Sequence, residues 1–195
     1  MARQAEMERS TRETRIGLSL VLEGTGQADV QTGIGFLDHM LTLMTVHGRM
    51  DLKVSCAGDL EVDSHHTAED VGIVLGQAVS AALGDRAGIS RYGTSHVPMD
   101  ETLVRVCLDL SNRPHLAFNI PFTADRLGAL DTEMVEEFFR AVSQHGGITL
   151  HIDCLHGRNN HHLAEAAFKA FGRAFREAAT IDPAIKGVLS SKGAL

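Results

Sequence analysis

Apolar and polar residues alternate with period two at two places in the chain. In TRIGLSLVLEG, residues 14–24, Ile16, Leu18, Leu20 and Leu22 share one side. In ETLVRVCLDLS, residues 101–111, Val104, Val106, Leu108 and Leu110 do the same, and Leu103 fits loosely. This alternation predicts half-buried strands. MDLKVSC (50–56) and ITLHIDC (148–154) read as short strands. The period becomes helical in GFLDHMLTLMTVHG (35–48), where Phe36, Leu37, Met40, Leu41, Leu43 and Met44 are spaced for a buried side and Gly48 is placed as a C-cap. TAEDVGIVLGQAVSAALGD (67–85) and LAEAAFKAFGRAFREAA (163–179) are the strongest helices, rich in alanine with apolar residues at i, i+3, i+4 and i+7.

These elements recur in order. At a shift of 98, His47-Gly48 falls on His145-Gly146, Leu52 on Leu150 and Cys56 on Cys154. His65-His66 falls on His161-His162 at a shift of 96, and Glu13-Thr14 on Glu101-Thr102 at a shift of 88. Each half reads as strand, connecting stretch, helix, strand, histidine pair, helix. The expected fold is α/β (α+β type): an internally duplicated half-domain, each half a small β-sheet with helices packed on one face, and the two sheets side by side around one core. The chain reads as a single catalytic domain over 1–195, with pseudo-repeats at about 9–90 and 91–185 and a tail at 186–195.

Composition narrows the function classes. A net charge of −7 leaves no basic field for nucleic acid or anionic lipid, and no apolar run approaches the roughly 20 residues needed to span a membrane. The N-terminal MARQAEMERSTRETR lacks the apolar segment of a signal peptide. Three scattered cysteines, Cys56, Cys107 and Cys154, imply reduced thiols and a cytoplasmic location. The unusual component is histidine, 11 residues including two adjacent pairs.

Each pair lies at the first turn of a strong helix, in DSHHTAED and RNNHHLAEA. There, His65 and Glu69 are i,i+4 neighbours, as are His161 and Glu165. Imidazole plus carboxylate suits a divalent metal such as Mn, Fe(II), Co or Zn. Adjacent helical residues diverge by about 100°, so a histidine pair serves two ions more easily than one. One ion would take His65, Glu69 and His162, the other His161, Glu165 and His66; the partition could equally be swapped. His39 in FLDHM is a further candidate ligand, as is its repeat counterpart Glu137, although VEEFF also reads as ordinary helix surface.

Five strings, GIGFLDHML, HHTAEDVGIVLGQA, DLSNRPHL, NNHHLAEAAFKAFGRA and SSKGAL, make the chain resemble imidazoleglycerol-phosphate dehydratases from about Arg9 to Leu195. The resemblance implies a hydro-lyase of histidine biosynthesis that converts D-erythro-imidazole-glycerol phosphate to imidazole-acetol phosphate with two Mn(II) ions per subunit. It implies metal ligands at His39, His65, His66, Glu69, His161, His162 and Glu165; position 137, His in some members, is Glu here. It implies an acid/base role over the substrate for Glu13, phosphate contacts from Arg91, Arg113, Lys169, Ser190 and Lys192, and a 24-subunit octahedral shell. His39 would also border the substrate.

The residue chemistry agrees. Arginine binds phosphate bidentately, Lys169 lies two turns after His161 on the same side, and SSKG offers hydroxyl, ammonium and backbone donors. SNRPHL also reads as a plain turn. The expected route passes through an imidazolate that expels hydroxide to give a diazafulvene-type intermediate, followed by proton removal and ketone formation, with Glu13 as the base and Asp100 or metal-bound water as alternatives. Two other functions fit the ligands: a dinuclear metallohydrolase and a non-catalytic metal-binding shell.

Overall fold

A computed structural model describes residues 3–195. The first half comprises β1 (Gln4–Ser10), β2 (Thr14–Val21), β3 (Ala28–Gln31), α1 (Gly35–Gly48), β4 (Asp51–Gly58) and α2 (His65–Leu83). The second comprises β5 (Tyr92–Met99), β6 (Thr102–Asp109), β7 (His115–Asn119), α3 (Glu133–Gly146), β10 (Thr149–His156) and α4 (Asn160–Ala179), with a small ribbon, β8 (Arg126–Leu127) and β9 (Leu130–Asp131), ahead of α3. The sheet orders are β1-β2-β4-β3 and β5-β6-β10-β7, the same topology twice. In each half the one parallel pair, β3 with β4 or β7 with β10, is joined through a helix, since parallel neighbours need a crossover. Register is duplicated as well: Ile16 faces Cys56, and Val104 faces Cys154.

The four predicted strands form the centres of the sheets. The edge strands β1, β3, β5 and β7 carried no comparable alternation. In β5 the inward residues are Gly93, Ser95 and Val97, of which only one is strongly apolar. Gly93 lets α4 approach, because a Cβ there would lie 1.9 Å from the Ala174 carbonyl oxygen.

The expected side-by-side arrangement of the sheets is corrected by the packing. α2 lies on β1 and β2 and also on α3, while α4 lies on β5 and β6 and also on α1. The helices therefore join the halves, with a sheet on either side of them. Each crossing is made by a glycine. A Cβ at Gly172 would sit 2.3 Å from the Met44 carbonyl oxygen, and one at Gly76 would sit 2.9 Å from that of Val142. Gly48 belongs to the first of these contacts and is the last residue of α1; the left-handed cap is Arg49, at φ 51°. Phe138, Phe139, Phe168 and Phe171 fill the space between α3 and α4.

After α4 the chain folds back on the entry to β5. Ser90 N–H donates to Thr180 O, Gly88 N–H to Gly187 O, and Arg91 Nη1 to Leu189 O. No helix among the described residues is long and apolar enough to cross a membrane.

Candidate functional site

Both histidine pairs occupy the first turn of their helix, as their spacing predicts. Local caps hold them there. Asn159 Oδ1 accepts the N–H groups of His161 and His162, and Asp63 Oδ1 accepts that of His65. The glycine crossing aligns α1 along α4, which brings His39, just past the first turn of α1, to the start of α4. His161 Nε2 lies 3.0 Å and His39 Nε2 3.5 Å from Glu165 Oε2. These three residues form the one described group of donor atoms all within 4.8 Å of one another. Two imidazoles and a carboxylate at such separations suit adjacent positions on a divalent ion with bonds of about 2.1–2.2 Å.

Glu165 is buried, which works against its charge. Lys169, one turn further along α4, donates to its carboxylate, and His161 and His39 add to this; together they hold its pKa below the usual value. Lys169 thus meets this donor group on the helix face that the spacing indicated.

The equivalent group in the first half is incomplete. His65 Nε2 lies 3.6 Å from Glu69 Oε2, but Glu137, which replaces His39 on α3, turns to Arg140 at 3.3 Å. The predicted mixed sets also do not assemble within one chain. His66 Nδ1 lies 3.0 Å from Asp59 Oδ2, and His162 Nδ1 lies 2.8 Å from Glu101 Oε2. The bond to Asp59 raises the His66 pKa. Glu101 is held far below the usual carboxylate range, first by the Asn159 N–H and then by His162. Asp59 and Glu101 were not among the predicted site residues, although the Glu101 alignment with Glu13 was the signal that marked one of them.

The remaining predicted residues divide into two places. Glu13 is half-exposed, and its carboxylate lies 3.7 Å from His66 Nε2. Arg91 is buried at φ 71°, grips both carboxylate oxygens of Asp109 at 2.7 and 3.0 Å, and anchors Leu189. Arg113 is exposed 3.7 Å from the same Asp109, in the turn where Asn112 takes φ 58°. Ser190 Oγ accepts the N–H of Lys192, whose side chain is exposed. Arg91 N–H donates to Ala178 O at the far end of α4 from His161, about 25 Å along a helix rising 1.5 Å per residue. Arg91 and the groups around it, unlike Lys169, therefore stand too far from His39, His161 and Glu165 of the same chain to share one small substrate with them.

A model of the imidazoleglycerol-phosphate dehydratase family matches residues 32–175. The chain belongs to the imidazoleglycerol-phosphate dehydratase family. It is 60% identical over 194 residues to the imidazoleglycerol-phosphate dehydratase of Heliobacterium modesticaldum, with 99% of this chain and all of that protein covered. The Streptococcus mutans dehydratase is 61% identical over 193 residues, again covering 99% of this chain and 100% of its relative. Among solved structures, imidazoleglycerol-phosphate dehydratase from Staphylococcus aureus superposes with a TM-score of 0.83 at 42% identity, covering 92% of this chain and 99% of that one. The Pyrococcus furiosus enzyme gives 0.84 at 34% identity, covering 97% and 100%. The chain is thus a dehydratase, a hydro-lyase of histidine biosynthesis. Membership of the imidazoleglycerol-phosphate dehydratase family displaces the metallohydrolase and the non-catalytic shell as readings of the ligands.

Proposed function

We propose that the chain converts D-erythro-imidazole-glycerol phosphate to imidazole-acetol phosphate and water in the cytoplasm, with two Mn(II) ions per subunit. The observation that carries this reading is the convergence of His39, His161 and Glu165, two imidazoles and a carboxylate from two helices. Those three hold one ion. The second is held by the equivalent pair His65 and Glu69, with Glu137 as a further carboxylate. His66 and His162 diverge from the pairs on their own helices and complete the sets from neighbouring copies.

When bound, divalent cations supply the Lewis acidity that an imidazolate/diazafulvene-type route needs. The chain's own residues bind the substrate and move its protons. Glu13 accepts no hydrogen bond through its carboxylate among the described residues and stands near His66 Nε2. It is the base that takes the proton from the carbon next to the one losing hydroxide, giving an enol that becomes the ketone. Arg91, Arg113, Lys169, Ser190 and Lys192 bind and orient the phosphate, through guanidinium forks, ammonium groups and a hydroxyl. His39 borders the imidazole end of the substrate.

The separation along α4 supports an assembly in which one copy supplies the metal group with Lys169 and another supplies Arg91, Arg113, Ser190 and Lys192, here a 24-subunit octahedral shell. The partners are the phosphorylated imidazole and further copies of the chain, without nucleic acid or membrane. The test is an assay of purified protein with imidazole-glycerol phosphate after chelation and after return of Mn(II), following the ketone. Activity should vanish and return; metal-independent turnover contradicts the reading.

A further inference from the structure

Asp59 and Glu101 reach equivalent histidines by different routes. In the first half, Gly58 ends β4 and packs beside Thr14 and Thr67. In the second, a bulge in β10 between Cys154 and His156 brings Gly157 to the same place, beside Thr102 and Leu163. From these glycines to the histidine pairs the loops differ. Residues 59–64 lead to His65, and only residues 158–160 lead to His161. The longer loop begins with Asp59, whose carboxylate oxygens lie 3.0 and 3.1 Å from His66 Nδ1. In the shorter loop Arg158 stands at that position, and no acid follows before the histidines.

The second half nevertheless has its carboxylate. Glu101, in the turn between β5 and β6, places Oε2 2.8 Å from His162 Nδ1. Its other oxygen is fixed by three donors: Arg158 N–H at 3.1 Å, Asn159 N–H at 2.9 Å and Thr102 Oγ1 at 3.0 Å. Glu13, the repeat counterpart of Glu101, makes no such bonds through its carboxylate among the described residues. A feature copied by duplication would use corresponding residues; this one is rebuilt from a different position. An ionised carboxylate only accepts hydrogen bonds, so each fixes its histidine with the proton on Nδ1 and the lone pair on Nε2.

We infer that Asp59 and Glu101 are positioning residues that hold His66 and His162 as Nε2 donors. Their value for metal binding rests on the proposed function, whereas their effect on the tautomer does not. Hydrogen-bonded carboxylates behind ligand imidazoles orient the ring and raise its basicity, and their loss costs about 10–100-fold in metal affinity.

The test is Glu101→Gln in the full assembled protein. The three donors on Oε1 keep the amide oxygen where it is, so the amide nitrogen faces His162. That nitrogen only donates, and it should drive the ring to the opposite tautomer, with Nε2 protonated. Solid-state 15N spectra of histidine-labelled, metal-free protein should show one ring changing tautomer, a signal also removed by His162→Gln. Glu101→Asp, which keeps a carboxylate, should retain part of the original signal. Calorimetric titration with Mn(II) should show affinity about 10–100-fold lower for Glu101→Gln. An unchanged tautomer in a folded variant overturns the inference. A changed tautomer with unchanged Mn(II) affinity leaves the positioning role standing and removes His162 from the proposed ligand set.

Discussion

His39 Nε2 lies 3.5 Å from Glu165 Oε2, although the two residues belong to different halves of the chain. The helix pair α1 and α4 carries this contact, so the donor group His39, His161 and Glu165 depends on the docking of the two halves as well as on the local motif. His39 and His161 are both about half-exposed, at 47% and 46%. Replacing either with alanine should therefore leave circular dichroism and the unfolding midpoint of the metal-free protein close to wild type. Divalent-metal affinity should fall by more than the about 10–100-fold typical of losing an outer hydrogen-bond partner. Calorimetry with Mn(II) on each variant checks this.

The glycine crossings predict a stability effect. In Gly172→Ala the new Cβ meets the Met44 carbonyl oxygen at 2.3 Å, and this backbone has no flexible end to give way. The variant should lose about 3 kcal/mol or more, the upper range for overpacking. Gly84→Ala has no neighbour within 4 Å but needs φ 56° with ψ −126°, so its loss comes from backbone strain alone, about 1–3 kcal/mol, and should be the smaller of the two. Urea unfolding of the two variants gives the comparison.

The sequence pattern made the duplication, the helices and the central strands legible because each carries strong apolar periodicity. The ligand candidates were legible because a histidine pair followed by glutamate recurs. The edge strands were not, since Gly93 and Ser95 point inward without an apolar signal. The direction of Glu137 was also hidden. Arg140 lies one turn on, and nothing in VEEFFR says which acid it takes; it reaches both Glu136 and Glu137. The distance between Arg91 and His161 emerged only once α4 was seen to run from one to the other.

Acid should destabilise the metal-free protein. The pKa values of Glu165, Asp131 and Asp153 are all lowered by folding: Glu165 by Lys169 and histidines against its burial, Asp131 first by Arg126, and Asp153 first by Asn119. A depressed folded value means that the stabilisation is present above the unfolded values of 3.8 and 4.5 and is lost as pH falls through the folded ones. Chemical denaturation should show a nearly level contribution from these groups above about pH 5 and a decline below about pH 4. Metal binding by the proposed ligands adds a separate dependence, because imidazoles must be neutral to bind, so Mn(II) affinity should already be falling below about pH 6.5, the more so because Asp59 raises the His66 pKa.

The C-terminal tail should depend on Arg91. Its guanidinium joins Asp109 to the Leu189 carbonyl oxygen. In Arg91→Ala that link is gone, and limited proteolysis should cut within 186–195 several-fold faster than in wild type. Metal content should be unchanged, since the proposed ligands His39, His161 and Glu165 stand at the other end of α4. Equal cleavage rates would show that the backbone bonds at Gly187 and Thr180 hold the tail without Arg91.

The most direct measurement is anomalous X-ray scattering at the manganese edge from crystals grown with Mn(II). The account predicts a peak bonded to His39 Nε2, His161 Nε2 and the Glu165 carboxylate, and a second beside His65 and Glu69. Strong manganese peaks elsewhere, with none at His39, His161 and Glu165, would contradict it.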